Sequence, residues 1–174
     1  MNRTLTSSIV LLLSSILMTG CGEALPDGMP RLYPATIIVT QEGIPLAGAM
    51  VQLIPEDSAN AAWGPGGVTD ESGSIVLHTN GKYKGAPLGH YKVTVMKRER
   101  EPHPQPELRE AGPHTPEFAR FMDIARSLQT YAYVEAQYTV PTDTPLRMEI
   151  TPRGRTYEVD AGPPVKIAVS GPRL

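Results

Sequence analysis

Prolines and glycines divide this chain into short segments, and that division constrains its fold more than any other feature. The chain contains 18 prolines and 16 glycines among its 174 residues, and both residue types weaken the interior of helices and strands. The segments between them are rich in Val, Ile, Thr and Tyr, and several alternate apolar with polar residues. Short alternating segments bounded by turn residues are typical of β-strands. The sequence therefore predicts an all-β domain.

The clearest strand is predicted over Gly89 to Lys97, where Tyr91, Val93 and Val95 alternate with more polar residues. Side chains two positions apart point to the same face of a strand, so these three are expected to face the core. Further strands are predicted at 35–40, 50–54, 75–79, 131–138, 146–150, 156–160 and 165–169. Seven or eight short strands at roughly ten-residue spacing favour a two-sheet sandwich.

Two connections between the strands have distinct compositions. Residues 58–67 consist of small and flexible residues apart from Trp63, which predicts a loop excursion. Asp70 to Gly73 predicts a tight turn, because an aspartate can accept hydrogen bonds from nearby backbone amides and a glycine can adopt positive φ. Asp70 and Glu71 alone do not predict a calcium site, because calcium takes six to eight oxygen ligands.

Residues 98–130 differ from the rest of the chain and are interpreted as an insertion. Residues 98–114 are charged and proline-rich, which predicts an exposed, extended loop. A helix start follows at Thr115, with proline at the first helical position and an acid in the first turn. An apolar stripe then begins with Phe118 and Phe121 and predicts one short helix. We expect this stripe to pack against the flank of the sandwich; the alternative is a helix that docks a partner.

The N-terminal segment has the features of a secretory signal. Arg3 precedes about ten mostly apolar residues, too few to cross a bilayer, which needs about 20. Thr19 and Gly20 then precede Cys21, the only cysteine in the chain. This arrangement resembles a bacterial lipoprotein signal, in which the cysteine is acylated and becomes the mature N-terminus. The resemblance implies a signal peptide over residues 1–20 and a tether over 21–34; the alternative is an ordinary secretory signal with an incidental cysteine.

Charge and cysteine content exclude several classes of function. The net charge of −2 argues against nucleic acid or an anionic membrane surface as a partner, because both require clustered Lys and Arg. With Cys21 acylated, no thiol is left for disulfides, iron–sulfur clusters, cysteine zinc sites or a cysteine nucleophile. We therefore expect no cofactor.

Three motifs resemble those of carboxypeptidase-regulatory-like, or transthyretin-like, domains. They are the Gly43–Val51 stretch G-I-P-L-A-G-A-M-V, the Thr69–Gly73 turn T-D-E-S-G, and the Leu88–Val95 strand L-G-H-Y-K-V-T-V. The resemblance implies an Ig-like or transthyretin-like sandwich over residues 35–170, with the 98–130 insertion. It also implies a location in the cell envelope, facing the periplasm or exterior. As appendages to peptidases, such domains have no catalytic groups.

No residue set supports catalysis or metal binding. His78 and His90 lie on separate predicted strands and could face one another only if those strands paired, whereas His103 and His114 lie in the insertion. Catalytic zinc normally has three protein ligands, so two histidines make a poor site. Transthyretin-like hydrolases have a C-terminal Tyr-Arg-Gly-Ser, and this chain ends Gly-Pro-Arg-Leu.

The sequence therefore predicts a non-enzymatic β-sandwich held on a lipid bilayer through acylated Cys21. Its expected role is to bind or scaffold a protein or glycan of the cell envelope. The candidate contact residues are Trp63, Phe118 and Phe121, because they lie in parts of the chain that the fold does not require. The alternatives are a carbohydrate-binding module in which Trp63 stacks on sugar rings, a Trp63 that only covers one end of the sandwich, and a transthyretin-like hydrolase.

Overall fold

The computed structural model describes residues 25–169, and this part of the chain is mostly β-structure. Its helical elements are a 3₁₀ turn at Ser58–Asn60, a 3₁₀ helix at Pro106–Ala111, and the α-helices α1 (Pro116–Ser127) and α2 (Ala136–Thr139). The strands are β1 (Thr36–Gln41), β2 (Ile44–Pro45), β3 (Met50–Pro55), β4 (Pro65–Val68), β5 (Ser74–Val76), β6 (His78–Thr79), β7 (Tyr83–Lys84), β8 (Gly89–Met96), β9 (Arg98–Arg100), β10 (Thr130–Ala132), β11 (Arg147–Ile150), β12 (Thr156–Asp160) and β13 (Ile167–Val169).

The strands form three sheets. The largest has six strands in the order β11-β8-β3-β4-β6-β7, and the second has the order β12-β1-β2, with β5 also paired to β1. A third sheet, β13-β10-β9, lies at the base of the insertion, where β9 begins it and β10 follows it. All pairs are antiparallel except β1 with β12, which is parallel. The prediction of an all-β sandwich is confirmed.

The core lies between the four-stranded and six-stranded sheets. Strand β1 contributes Ile37 and Val39, and β8 contributes Tyr91, Val93 and Val95, all fully buried. The alternation of apolar residues in the sequence produces this arrangement, because every second side chain of a strand points to the same face. Full burial of one such Val or Leu side chain contributes about 1.5–3 kcal/mol. The predicted inward face of β8 is confirmed.

The turn after β4 shows how polar residues hold the sandwich edge. Asp70 Oδ1 accepts hydrogen bonds from the backbone N–H groups of Ser72 at 2.9 Å and Ser74 at 3.0 Å, and from the Ser72 hydroxyl at 2.6 Å. These hydrogen bonds, that of the Ser72 hydroxyl first, lower the pKa of Asp70. Gly73 has φ +73°, and a Cβ there would lie 2.6 Å from the Val39 carbonyl oxygen, so the turn requires glycine.

One predicted connection has a different structure. Residues 65–67 lie in β4 and pair with β3, so the predicted loop excursion is wrong beyond Gly64. Gly66 is needed there because a Cβ would lie 2.6 Å from the Val51 carbonyl oxygen. The glycines that indicate a loop in the sequence instead allow two strands to approach closely.

The predicted strand over 131–138 is also wrong in part. It divides into β10 and the helical turn α2, and Tyr138 therefore does not lie on the same strand as Tyr131. Val134 is buried, with 1% of its surface exposed, and Tyr138 packs against the core. Tertiary packing of these two side chains bends the chain away from the strand path that the alternation predicts.

Among residues 25–169, no helix combines the length and the apolar character that crossing a bilayer would require.

Candidate binding site at the insertion end

Strand register divides the sandwich into two ends that carry different loops. In the six-stranded sheet, Met50 of β3 lies opposite both Val68 and Met96, and Pro55 lies opposite Tyr91. The end with Met96 leads directly into β9 and is called the insertion end. The opposite end is called the tether end, because residues 25–33 approach it and Tyr33 pairs there with Ala86.

The structure places the candidate residues of the sequence at different ends. Trp63 precedes β4 and lies at the tether end, where the Gly64 carbonyl accepts a hydrogen bond from Asn80 N–H at 3.2 Å. Phe118 and Phe121 lie on α1 in the insertion. Trp63 and the two phenylalanines therefore cannot form one contact surface.

The insertion is attached to the sandwich by a three-stranded sheet. Arg98 of β9 pairs with Ala132, Arg100 pairs with Thr130, and β10 pairs in turn with β13. The predicted extended loop over 98–114 is therefore wrong at Arg98–Arg100, which is a strand, and at Pro106–Ala111, which is a 3₁₀ helix. Pairing with β10 supplies the hydrogen bonds that an isolated charged segment lacks.

Helix α1 begins where the sequence predicts. Thr115 is the N-cap, and its hydroxyl oxygen accepts a hydrogen bond from Phe118 N–H at 3.2 Å, with Pro116 at the first helical position. The helix packs chiefly on the 3₁₀ helix of the insertion, instead of on the flank of the sandwich as predicted. None of its side chains is fully buried.

An aromatic cluster holds α1 in place. The rings of His103 and Phe121 stack with centroids 4.2 Å apart, and Phe118 lies 6.0 Å from Phe121. Gln105 N–H donates to His103 Nδ1 at 3.0 Å, so the neutral histidine carries its proton on Nε2, 3.0 Å from the Phe121 carbonyl oxygen. We assign His103 a positioning role within the insertion.

An apolar groove lies between the six-stranded sheet and the three-stranded sheet. Its volume is about 330 Å³, and most of its lining residues are apolar, with Lys97, Arg98 and Thr139 as the exceptions; the apolar ones include Met96, Ala132, Val134, Ile167 and Val169. Ile167 is 51% exposed at its rim. Large apolar side chains exposed beside a groove are characteristic of binding surfaces. Sequence reasoning missed this groove because its walls come from three segments that are far apart in the chain.

Charged groups surround one tyrosine of the insertion. The Tyr131 hydroxyl donates a hydrogen bond to Glu101 Oε1 at 3.1 Å, and Lys166 Nζ lies 4.4 Å from the centroid of its ring. The hydrogen bond to Glu101 and the negative charge of that carboxylate raise the pKa of Tyr131. This network ties the base of the insertion to the segment before β13.

The histidines are dispersed. His78 and His90 lie on β6 and β8, which are separated in the sheet by β4 and β3, so the two strands do not pair. His90 lies opposite Glu149 at the mouth of a shallow cavity of about 380 Å³. The same cavity is lined by Glu56 and Arg147, which form a salt bridge at 3.1 Å. Within residues 25–169, no three His, Cys, Asp or Glu side chains are grouped in a way that could hold a metal ion.

Trp63 is half-buried in the loop that follows the 3₁₀ turn. That loop is fixed by backbone hydrogen bonding of Trp63 N–H to the Asn60 carbonyl at 2.8 Å and by Asn60 Nδ2 donating to the Leu88 carbonyl at 3.0 Å. Part of the indole ring is therefore accessible on an ordered loop.

Cys21 and the C-terminal Gly171-Pro172-Arg173-Leu174 lie outside the described residues. No protein-family model matches the chain, and no match was found among curated proteins or among solved structures.

Proposed function

We propose that this protein is a membrane-anchored lipoprotein of the cell envelope whose β-sandwich is a non-catalytic module that binds a protein partner at the insertion end. The observation that carries this proposal is the apolar groove beside Ile167, at the end of the sandwich opposite the tether. A tethered domain can present such a surface to other envelope components, because its attachment point lies at the far end.

The anchor is supported by the sequence before the sandwich. A short apolar segment, small residues and a single cysteine are the pattern that acylation of Cys21 requires. Three acyl chains on one residue would exceed the two signals needed for stable attachment. Cys21→Ser should abolish metabolic labelling with a fatty acid and release the protein from the membrane fraction. Retained labelling would contradict the anchor.

The proposal that the module is non-catalytic is supported by the structural roles of its polar residues. Asp70 closes a turn, His103 positions α1, and the buried hydroxyl of Thr144 donates to the Val93 carbonyl at 2.6 Å. These residues hold the fold together and do not converge on an open cavity. A hydrolase activity that survives purification and disappears in His90→Ala would contradict this part of the proposal.

In-cell crosslinking tests the binding surface. We expect the partners crosslinked by the wild-type protein to be lost in Ile167→Asp, because a carboxylate at the rim of the groove opposes apolar contact. The matched control is Ile44→Asp, since Ile44 is 63% exposed in the β1–β2 hairpin and lies outside the groove. Retention of every partner by Ile167→Asp, or loss of the same partners in Ile44→Asp, would overturn the assignment.

A carbohydrate-binding role is the second candidate, favoured by the partly accessible ring of Trp63 on an ordered loop. Aromatic faces stack on sugar rings, and replacement of Trp63 by alanine would remove that platform. Glycan-array binding by the wild-type protein that disappears in Trp63→Ala would support this role, and an array without signal would contradict it.

A further inference from the structure

A basic groove lies at the tether end of the sandwich. Its volume is about 390 Å³, and it is lined by Leu25, Arg31, Leu32, Lys82, Tyr83 and Lys84, none of which is acidic. Arg31, Lys82 and Lys84 are exposed, and Leu25 is 41% exposed. The tether brings Leu25 and Arg31 to the β6–β7 hairpin, since Tyr33 and Ala86 exchange backbone hydrogen bonds at 2.8 and 2.9 Å.

Two more arginines lie at the same end. Arg153 and Arg155 occupy the turn between β11 and β12, and the Arg155 carbonyl accepts a hydrogen bond from Thr36 N–H at the start of β1. Among the described residues, the acidic groups at this end are Asp27, Glu56, Asp57 and Glu149. Glu56 is already paired with Arg147 at 3.1 Å. The residues that line the groove therefore include three basic side chains and no acidic one.

The opposite end is more acidic. Outside residues 98–130, its connections and strand ends hold two lysines and six acidic residues; these are Lys97, Lys166, Glu42, Asp70, Glu71, Glu135, Asp143 and Asp160. The charges of the whole chain nearly cancel, at −2. Acidic residues are therefore in excess at the end away from the tether, and the net charge that argues against an anionic surface does not describe the tether end.

We infer that the groove of Arg31, Lys82 and Lys84 docks on an anionic phospholipid bilayer and orients the sandwich with its insertion end away from the membrane. This inference rests on the proposed acylation of Cys21. Leu25 is the fourth residue after Cys21, and extended chain spans at most about 3.6 Å per residue, so Leu25 lies within about 14 Å of the acylated residue. At that separation a basic cluster can reach the region near the bilayer, where each Lys or Arg is attracted to anionic lipids.

The apolar and aromatic groups of the groove suit the same partner. Leu25 can enter the headgroup region, and Tyr83 has the amphipathic ring that membrane–water interfaces favour. Lys82 Nζ lies 4.9 Å from the Tyr83 centroid and Arg31 Cζ lies 5.2 Å from the Tyr33 centroid. Both cations are thus held over aromatic faces at the surface. Because the acyl chains already provide attachment, the groove sets orientation more than affinity.

The test uses the acylated full chain reconstituted into vesicles of phosphatidylcholine alone or of phosphatidylcholine and phosphatidylglycerol. A membrane-impermeant amine-reactive ester labels exposed lysines, and mass spectrometry measures the labelling rate at each one. In about 0.05 M salt, we expect labelling of Lys82 and Lys84 to fall at least about threefold on the anionic vesicles. Labelling of Lys166, which is exposed beside the insertion, should not change. About 0.5 M salt should restore the labelling of Lys82 and Lys84, because screening weakens the attraction.

Charge reversal provides a matched comparison. Arg31→Glu with Lys84→Glu should remove the protection of Lys82, whereas Arg109→Glu with Arg120→Glu, two exposed arginines of the insertion, should leave it intact. Equal labelling of wild-type Lys82 on both vesicles, or protection that salt does not reverse, would overturn the docking face. Flotation with the neutral vesicles reports the anchor separately: a chain that floats but shows no protection contradicts only the docking, and one that does not float contradicts the acylation of Cys21.

Discussion

The sandwich and its insertion are stabilised in different ways. The sandwich encloses a continuous core that includes fully buried residues such as Leu53 and Val95. The insertion between β9 and β10 contains no fully buried side chain and is held by a stacked pair, His103 and Phe121, and by hydrogen bonds at its base. Apolar burial is cumulative across a core, whereas a few half-buried contacts stabilise a segment only locally.

This difference separates the roles of the two regions. Because the core lies almost entirely in the sandwich, we expect the sandwich to fold without the insertion. Segments with few buried contacts open at low cost in free energy, and binding surfaces are commonly found in such segments. Four predictions test the comparison, in order of decreasing effect.

Replacing a large apolar side chain by alanine should reveal the largest difference between the two regions in the free energy of unfolding. Leu53→Ala removes a fully buried side chain and should lower the free energy of unfolding by about 2–5 kcal/mol. Phe121→Ala removes a half-buried ring from the insertion and should lower it by less than about 1 kcal/mol, because the sandwich does not depend on that ring. Urea denaturation followed by tryptophan fluorescence measures both values. Equal losses would show that the insertion belongs to the cooperative core.

Alkaline pH should destabilise the sandwich through Tyr91. Burial raises the pKa of Tyr91 to about 12, and its hydroxyl donates to the Pro87 carbonyl at 2.8 Å. The unfolded tyrosine ionises near pH 10, so the unfolded state binds fewer protons than the folded state above that pH. The contribution of Tyr91 to stability is therefore fully present below pH 10. As the pH rises to 12, the free energy of unfolding falls by roughly 2–3 kcal/mol.

The control for this pH dependence is Tyr91→Phe. We expect the variant to be less stable near neutral pH by about 1 kcal/mol, because the Pro87 carbonyl loses its donor. Its stability should decline less steeply than that of the wild type between pH 10 and 12, by urea denaturation at each pH. Parallel pH profiles for the two proteins would assign the alkaline loss to other groups.

Replacement of most of the insertion should leave the sandwich intact. Arg100 lies directly opposite Thr130 in the antiparallel β9–β10 pair, so residues 101–129 can be replaced by Asn-Gly, a two-residue hairpin turn. The free energy of unfolding should change by less than about 1 kcal/mol, measured by urea denaturation. A chain that no longer unfolds cooperatively would contradict the independence of the sandwich.

The smallest effect concerns Tyr131 at the base of the insertion. Its pKa is raised by the hydrogen bond to Glu101 and by the charge of that carboxylate. Glu101→Gln should therefore lower the pKa of Tyr131 toward the ordinary value for tyrosine. Because Tyr131 is only half-buried, the change in the global free energy of unfolding should be small. Ultraviolet difference titration against a Tyr131→Phe reference detects the shift, and an unchanged titration would exclude the contact in solution.

Local signals predicted much of the fold correctly. The cap formed by Thr115 and Pro116 predicted the start of α1, and alternation predicted Thr156–Asp160 as a strand. Capping and alternation depend on residues within four positions of each other, which the sequence shows directly. The sequence failed at β4, where Gly66 allows close strand approach, and at α2, where Tyr138 packs on the core.

The candidate sites were less predictable. The sequence proposed Phe118, Phe121 and Trp63 as contact residues, yet only the strand register shows that Trp63 lies at the end opposite the other two. The groove beside Ile167 combines segments 96–98, 132–139 and 167–169. No local pattern indicates that such distant segments meet.

The sequence by itself determined an all-β sandwich with one short helix, and it supplies the motif from which acylation of Cys21 is proposed. Only the tertiary structure decided which loops share an end, where the apolar groove opens, and that Arg31, Lys82 and Lys84 gather beside the tether. The physical reason is the range of the interactions. Turns, caps and alternation follow from neighbouring residues, whereas strand order and register follow from the burial of the whole core.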